Sequence, residues 1–331
     1  IQGTLHDDGL VRPIRASSGD LSAAIEQCLS FFEASDIDAQ AWEQGRYLPT
    51  PSIIEAARAL YAGHSVDSIS RSDAGAQNLA VTSRAVDQII EQARTQGRKA
   101  ICFVTGVPGA GKTLVGLDVA TRHMDKDEAT YSVFLSGNGP LVAVLREALA
   151  RDRVERAVAA GKTLLKGKAR QEVSAFIQNV HHFRDDCLKD STAPPEHVVL
   201  FDEAQRAWTL EQTASFMARK KGLPNFDKSE PAFLISCLDR HQDWAVVICL
   251  VGGGQEINTG EAGIREWLDA VLTRFTAWDV HLPPQLNESE YGSRDVLEQV
   301  LARPDTHPNP ALHLATSMRS FRAESLSKFV R

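Results

Sequence analysis

Cysteine is scarce in this sequence. Only Cys28, Cys102, Cys187, Cys237 and Cys249 occur in 331 residues, and no two form a CxxC pair. An odd, scattered set excludes a disulfide framework and reads as reduced and cytoplasmic. Cys102 and Cys249 lie within apolar runs, where a free thiol acts as a small hydrophobe. No Cys/His spacing suits zinc, and the adjacent His181 and His182 point apart on any regular element, so no such metal site is expected. Long apolar runs are missing too. None approaches the ~20 residues that cross a bilayer, so no helical membrane anchor is expected. The opening Ile1-Gln-Gly-Thr has neither the basic nor the apolar region of a secretory signal. It also lacks Met, and the sequence stops within a helix-like run from Glu324 to Arg331, so we expect a piece of something longer.

Positive charge is short overall, with a net charge of −7. That excludes a wholly basic nucleic-acid binder. The charge is uneven, however. Residues 1–94 carry 7 Arg, no Lys and 13 acids, whereas residues 151–170 carry 7 Lys or Arg against 2 acids. The second stretch reads either as a solvated helix face or as an arm that contacts phosphates.

What is present has two textures. Residues 1–97 read as helical. Leu21, Ala24, Ile25, Cys28, Leu29 and Phe32 recur at helical spacing. Thr50 followed by Pro51 predicts a helix start, and Gly63 its stop. A third helix is predicted over about 83–96, ending at Gly97. From residue 98 to 331, short apolar runs alternate with helical stretches. The runs are Ala100–Thr105, Tyr131–Leu135, His197–Phe201 and Ala245–Val251, then the weaker Val280–Leu282 and Leu312–Ala315. This alternation implies an α/β fold with a parallel sheet covered by helices on both faces. Pro283-Pro284 and the stretch from Pro304 to Pro310 read as loops.

The chemistry is carried first by Gly106-Val107-Pro108-Gly109-Ala110-Gly111-Lys112-Thr113, a complete G-x-x-x-x-G-K-T between a strand and a helix. Glycines let backbone N–H groups turn inward around phosphates, and the helix N-terminus adds favourable potential for anions. Lys112 is expected to reach the β- and γ-phosphates and Thr113 to ligate Mg²⁺. Gly161-Lys162-Thr163 is a decoy, because position 156 is Arg and no strand precedes it. Next, the run His197–Phe201 ends in Asp202-Glu203-Ala204-Gln205. Asp202 is placed to hold Mg²⁺ and Glu203 to act as general base toward water. A Glu after the metal-binding Asp argues against a small-molecule kinase. A third strand ends in Gly252-Gly253-Gly254-Gln255, where Gln255 is expected to sense the γ-phosphate. Late in the chain, Arg319 is a candidate finger for transition-state charge, with surface salt bridging as the other reading. Leu135-Ser136-Gly137-Asn138-Gly139 resembles an ABC-transporter signature but lies too far upstream of Asp202 to serve as one.

In this order the motifs resemble those of superfamily 1 helicases, and so of a RecA-like P-loop NTPase that binds ATP and Mg²⁺. The phrases YLPTPSIIEAARALY (Tyr47 to Tyr61), FDEAQRAW (Phe201 to Trp208), VGGGQEIN (Val251 to Asn258) and SMRSFRAE (Ser317 to Glu324) resemble the Schlafen-like DNA/RNA helicase domain family of prokaryotes. The resemblance implies that Gln205 and Gln255 couple the γ-phosphate to nucleic acid and that Arg319 is the motif arginine, with Arg322 as the alternative. It implies that Ser136, Gly137, Asn138, His181, His182 and Phe183 match positions touching single-stranded DNA or RNA. An aromatic there suits base stacking.

The sequence departs from that family in several places. The acid usual before the sensing Gln is absent, and Thr82 stands where an adenine-reading Gln is expected. Relatives often carry a nuclease whose metal site needs a Lys, and residues 1–98 contain none. No second RecA-like domain is visible. The resulting expectation is the ATP-hydrolysing module of a helicase or translocase. The alternative is a nucleotide-dependent switch acting on a protein partner.

Overall fold

The computed structural model describes residues 16–17, 19–30, 51–69, 73–125, 128–252, 263–287 and 294–317. The chain divides into two compact units, Ile1–Leu48 and Pro49–Arg331. In the first, the described residues form one helix, Leu21–Leu29.

The second unit is built on an eight-stranded sheet. Its strands are β1 (Lys99–Gly106), β2 (Ser132–Ser136), β3 (Ile177–Asn179), β4 (Val198–Asp202), β5 (Ala245–Leu250), β6 (Asp279–Leu282), β7 (Thr306–Pro308) and β8 (His313–Leu314). The order is β3-β2-β4-β5-β1-β6-β7, with β8 also paired to β1, and every pairing is parallel. Alternate side chains of a strand face opposite ways. Ala100, Cys102, Val104, Leu200 and Ile248 therefore enter one core, and Ile101, Phe103, Phe201, Val247 and Cys249 the other. Helices 53–61, 73–96, 112–122, 139–159 and 166–176 cover the first face. Helices 180–189, 230–238, 265–273 and 294–301 cover the second. Both faces are buried, which is why the central strands read as unbroken apolar runs. This is the α/β, RecA-like architecture expected from the sequence, with helices ahead of the first strand.

Several local expectations need correction. The helix predicted to start at Thr50-Pro51 begins instead at Ile53, capped by Ser52. The Ser52 hydroxyl accepts from Glu55 N–H at 3.3 Å, and the Glu55 carboxylate accepts from Ser52 N–H at 2.8 Å. This reciprocal pair satisfies two donors that a lone Thr would not. The helix predicted from Ser83 starts ten residues earlier, at Asp73, in an alanine-rich stretch where Leu79 is the one large buried apolar side chain. β3 and β7 were not anticipated. Each is three residues long at a sheet edge, and β7 ends in Pro308, which an edge tolerates because its missing N–H is not needed there.

Five of the seven cations in the basic stretch 151–170 have an acidic partner, three of them sharing one carboxylate. Arg151, Lys166 and Arg170 converge on Glu147 at 2.6–2.7 Å, Arg153 meets Glu172 at 3.3 Å, and Arg156 meets Asp152 at 2.7 Å. Three cations hold the Glu147 carboxyl down at about 2. Among the described residues no helix is long and apolar enough to cross a membrane. All five cysteines are free, and four are buried.

Candidate nucleotide site

In a parallel sheet all strands end on one edge, and β1, β4 and β5 deliver their C-termini side by side. β1 runs into the loop 106–111, and the helix Lys112–Arg122 begins immediately after it. Gly111 sits at φ 95°, a left-handed conformation that a side chain resists, and it turns the backbone into the helix. Gly106 answers a different need. A Cβ there would lie 2.6 Å from Leu314 Cβ and 2.7 Å from Leu314 O, because β8 presses against the loop. Val107 N–H donates to Leu314 O at 3.1 Å, and Thr105 Oγ1 lies 2.8 Å from His313 Nδ1. The weak apolar run near residue 312 thus buttresses the loop, a role its sequence does not announce.

Within this corner, Thr113 Oγ1 donates to Asp202 Oδ1 at 3.1 Å. Asp202 is buried. Desolvation first, and the neighbouring Glu203 second, push its carboxyl up to about 7, against the pull of Thr113 and Lys112. A cation held here restores the charged form, and a hydroxyl beside a carboxylate is the hard oxygen pair that Mg²⁺ takes. The residues present fit the ion. Lys112 Nζ donates to Gly106 O at 2.8 Å and more weakly to Val107 O at 3.4 Å. Burial pulls its pKa down, while Glu203 and Asp202 pull it up, so the ammonium sits in the field of both acids.

Glu203 is the one described non-glycine residue with positive φ, at φ 53° and ψ 48°. Such a conformation costs about 1 kcal/mol or more and persists only where the surroundings enforce it. Gln205 supplies part of that enforcement. Its amide Nε2 donates to the Glu203 carboxylate at 2.5 Å, and its Oε1 accepts from Gly252 N–H at 2.9 Å. Buried Gln205 therefore ties the end of β4 to the end of β5. Gly263 N–H donates to Gln205 O at 3.0 Å, and Trp267 Nε1 donates to Ala204 O at 2.9 Å. These bonds anchor both sides of the segment that carries Gln255. Gln255 itself lies outside the described residues, as do Arg319 and Arg322.

The positions assigned to nucleic acid are not alike. Ser136 is buried, and its hydroxyl accepts from Asn138 N–H at 3.2 Å. Asn138 caps the following helix by accepting from Leu141 N–H at 3.1 Å. Gly137 and Asn138 are exposed. Phe183 needs correction. It is only 3% exposed and packs in the core with Val180 and Val199, so its ring is not available to stack on a base. His182 beside it is exposed, and the His181 ring lies 5.3 Å from that of Trp208.

Two further features escaped sequence reasoning. Thr82 is buried and donates to Ala311 O at 2.7 Å, so it pins the long helix to the chain ahead of β8. Arg184, wholly buried, meets Glu230 at 3.3 Å and lies over the Trp208 and Phe216 rings. Glu230 in turn accepts from Trp208 N–H at 3.1 Å. This buried pair fixes the chain just after Gln205. A pairing between such distant positions leaves no periodic trace in the sequence.

Comparison with curated proteins returned no match. A family model described as Schlafen group 3, DNA/RNA helicase domain, matches residues 99–331, from the first residue of β1 through the loop, the Asp202-Glu203 pair and the region of Gln255 and Arg319. The match covers most of the sequence, and the chain belongs to the Schlafen group 3 DNA/RNA helicase domain family.

Proposed function

We propose that this helicase-like module binds Mg²⁺·ATP and hydrolyses it to drive movement along single-stranded DNA or RNA, in the manner of a superfamily 1 motor. The observation that carries the reading is the 3.1 Å contact of Thr113 with Asp202, with half-buried Lys112 in the field of the same acid. Thr113 and Asp202 would hold Mg²⁺, and that ion, when bound, neutralises charge on the phosphate oxygens. Lys112 exchanges its carbonyl partners for phosphate oxygens. The phosphate path is lined by backbone N–H groups of the loop other than those of Val107 and Ala110, which are bonded to Leu314 O and Val107 O, and of Pro108, which has none. Glu203 accepts the proton of the attacking water. Gln205 holds that carboxylate in place, and through Gly252 it relays a change at the γ-phosphate to the segment bearing Gln255. Arg319 neutralises charge in the transition state.

The test is binding and turnover together. Lys112→Ala is expected to weaken Mg·ATP binding by at least about 100-fold, the effect of removing a charge-assisted hydrogen-bond partner of the phosphates. ATP turnover is expected to rise with single-stranded DNA or RNA and to lose that stimulation steeply as salt increases, because phosphate contacts release counterions. A flat response to both polymers at both low and high salt rejects the motor reading.

A second reading has one observation in its favour. Glu147 and Glu172 engage Arg151, Lys166, Arg170 and Arg153 of the 151–170 basic stretch, and Asp152 engages Arg156, so these side chains would have to leave a carboxylate to meet a phosphate backbone. A nucleotide-dependent switch acting on a protein partner then becomes the alternative. It predicts partner capture that depends on nucleotide and is indifferent to salt.

A further inference from the structure

The opposite edge of the sheet gathers a second set of metal-binding side chains. His197 lies just before β4 and Asp243 just before β5, while His241 lies on the connection leading into β5. One candidate ligand atom from each of these residues falls within 4.8 Å of the others. We propose that His197, His241 and Asp243 form a binding site for a Zn²⁺-class divalent transition metal, with water completing the coordination.

The geometry is specific. His241 is buried, and its Nε2 lies 3.0 Å from Glu196 O. A carbonyl only accepts, so Nε2 carries the proton and Nδ1 carries the lone pair. A backbone carbonyl fixing the far nitrogen is the usual second partner of a metal-binding histidine. The His197 ring is held between two others, with its centroid 4.0 Å from that of His241 and 4.7 Å from that of Trp244. Burial first, and His197 second, keep His241 below the ordinary histidine range, so its lone pair is available at neutral pH. His197 Nε2 and Asp243 Oδ1 are 3.4 Å apart. That is long for a charge-assisted hydrogen bond, which prefers about 2.7–2.9 Å. It matches the ligand-to-ligand edge of a tetrahedron with bonds of about 2.1 Å. The ligand atoms, which lie within 4.8 Å of one another, must draw together, and the Asp243 side chain, 61% exposed, would exchange backbone N–H partners at Trp244 and Asp243 for the ion. Two imidazoles and one carboxylate favour zinc, cobalt or nickel over Mg²⁺ or Ca²⁺, which prefer all-oxygen sites.

This site is separate from the nucleotide corner. Asp202 ends β4 and His197 precedes it, so the strand places them about 16 Å apart. A metal here clips the connection from helix Glu230–Leu238 onto the start of β4 and makes the sheet core harder to unfold.

The experiment is a Zn²⁺ titration of the chelator-stripped 331-residue chain in a Cys28→Ser background, which removes the one thiol that is not buried. The expected result is one Zn²⁺ bound per chain, with Co²⁺ giving the visible absorption of a tetrahedral nitrogen–oxygen site. Asp243→Asn, at an exposed position, should weaken Zn²⁺ at least about tenfold, and His197→Asn more, as for loss of a direct ligand. Lys112→Ala should leave Zn²⁺ affinity unchanged, which keeps this outcome independent of the nucleotide reading. No bound Zn²⁺ in the parent chain, or unchanged affinity in a folded Asp243→Asn protein, overturns the proposal.

Discussion

The two ends of β4 are built in opposite ways. At the C-terminal end, Asp202, Glu203 and Gln205 follow one another in sequence and meet a loop that is itself contiguous, 106–113. At the N-terminal end, His197 meets His241 and Asp243, which arrive on a different connection. Parallel strands make both arrangements possible, because each edge of the sheet collects chain termini of one kind only. Contiguous residues leave a motif that can be read from sequence, whereas residues assembled across strands do not. The C-terminal edge also carries the stored cost: a buried acid pushed up to about 7 and a glutamate held at positive φ. At the other edge the burden is a buried His241 whose pKa burial lowers, while Asp243 faces solvent.

The largest expected effect lies at Glu203. Glu203→Gln should keep Mg·ATP binding within a few-fold while hydrolysis falls on the order of 10²–10⁴-fold, the scale of a lost general base. The glutamine remains a partner for Gln205, so the strained turn survives. Single-turnover hydrolysis beside nucleotide titration checks this. Unchanged hydrolysis removes the catalytic role from this edge and, with it, the asymmetry between the two.

Next in size is Asp202→Asn, which tests whether the upper edge trades stability for function. Burial pushes the folded carboxyl up to about 7, against about 4 for an ordinary aspartate. Between those values the unfolded state gives up its proton while the folded state keeps it, so this group makes stability fall as pH rises from about 4 to 7. Asparagine removes that slope and still accepts from Thr113. In chelator at pH 8 the variant should be more stable by on the order of 2 kcal/mol in urea unfolding. The gain should vanish near pH 4, and Mg·nucleotide affinity should drop. A variant less stable than its parent at pH 8 shows that the carboxylate is not a buried cost.

Gly106→Ala probes how much of the loop is conformation and how much is packing. The added Cβ would meet Leu314 Cβ and backbone O at 2.6 and 2.7 Å, and backbone cannot step aside cheaply. A loss of about 1–3 kcal/mol in thermal or urea unfolding is expected. The glycines read in the sequence as a candidate phosphate loop, but the packing reason for this one could not be read there, because β8 is two residues long and pairs only once the chain has folded. The same distinction runs through the molecule. β1, β2, β4 and β5 were legible because burial on both faces demands continuous apolar runs. β3 and β7 were not, since edge strands of three residues need no such pattern. The acidic pair Asp202-Glu203 was legible as residues. The left-handed turn at Glu203 and its strut through Gln205 to Gly252 belong to the fold, and only the assembled β4–β5 edge displays them.

The smallest effect concerns the lower edge and tests the independence of the two ends directly. Without added metal, Asp243→Asn weakens a 3.4 Å contact with His197 at a mostly exposed carboxylate, and the asparagine oxygen can still accept from the backbone N–H groups of Trp244 and residue 243. Exposed ion pairs contribute about 0–1 kcal/mol, so a change of a few tenths in unfolding free energy is expected, with ATP turnover unaltered. Combining Asp243→Asn with Asp202→Asn then forms a cycle across β4. Sites farther apart than about 7–10 Å with no shared partner add to within roughly 0.5 kcal/mol. Additivity means that the costly upper edge and the exposed lower edge are energetically separate, and that a metal bound below acts on stability alone. A coupling clearly above that margin means that strain at Asp202 and Glu203 travels down the strand, and that a metal clip at its base also sets how readily the left-handed turn at Glu203 is held.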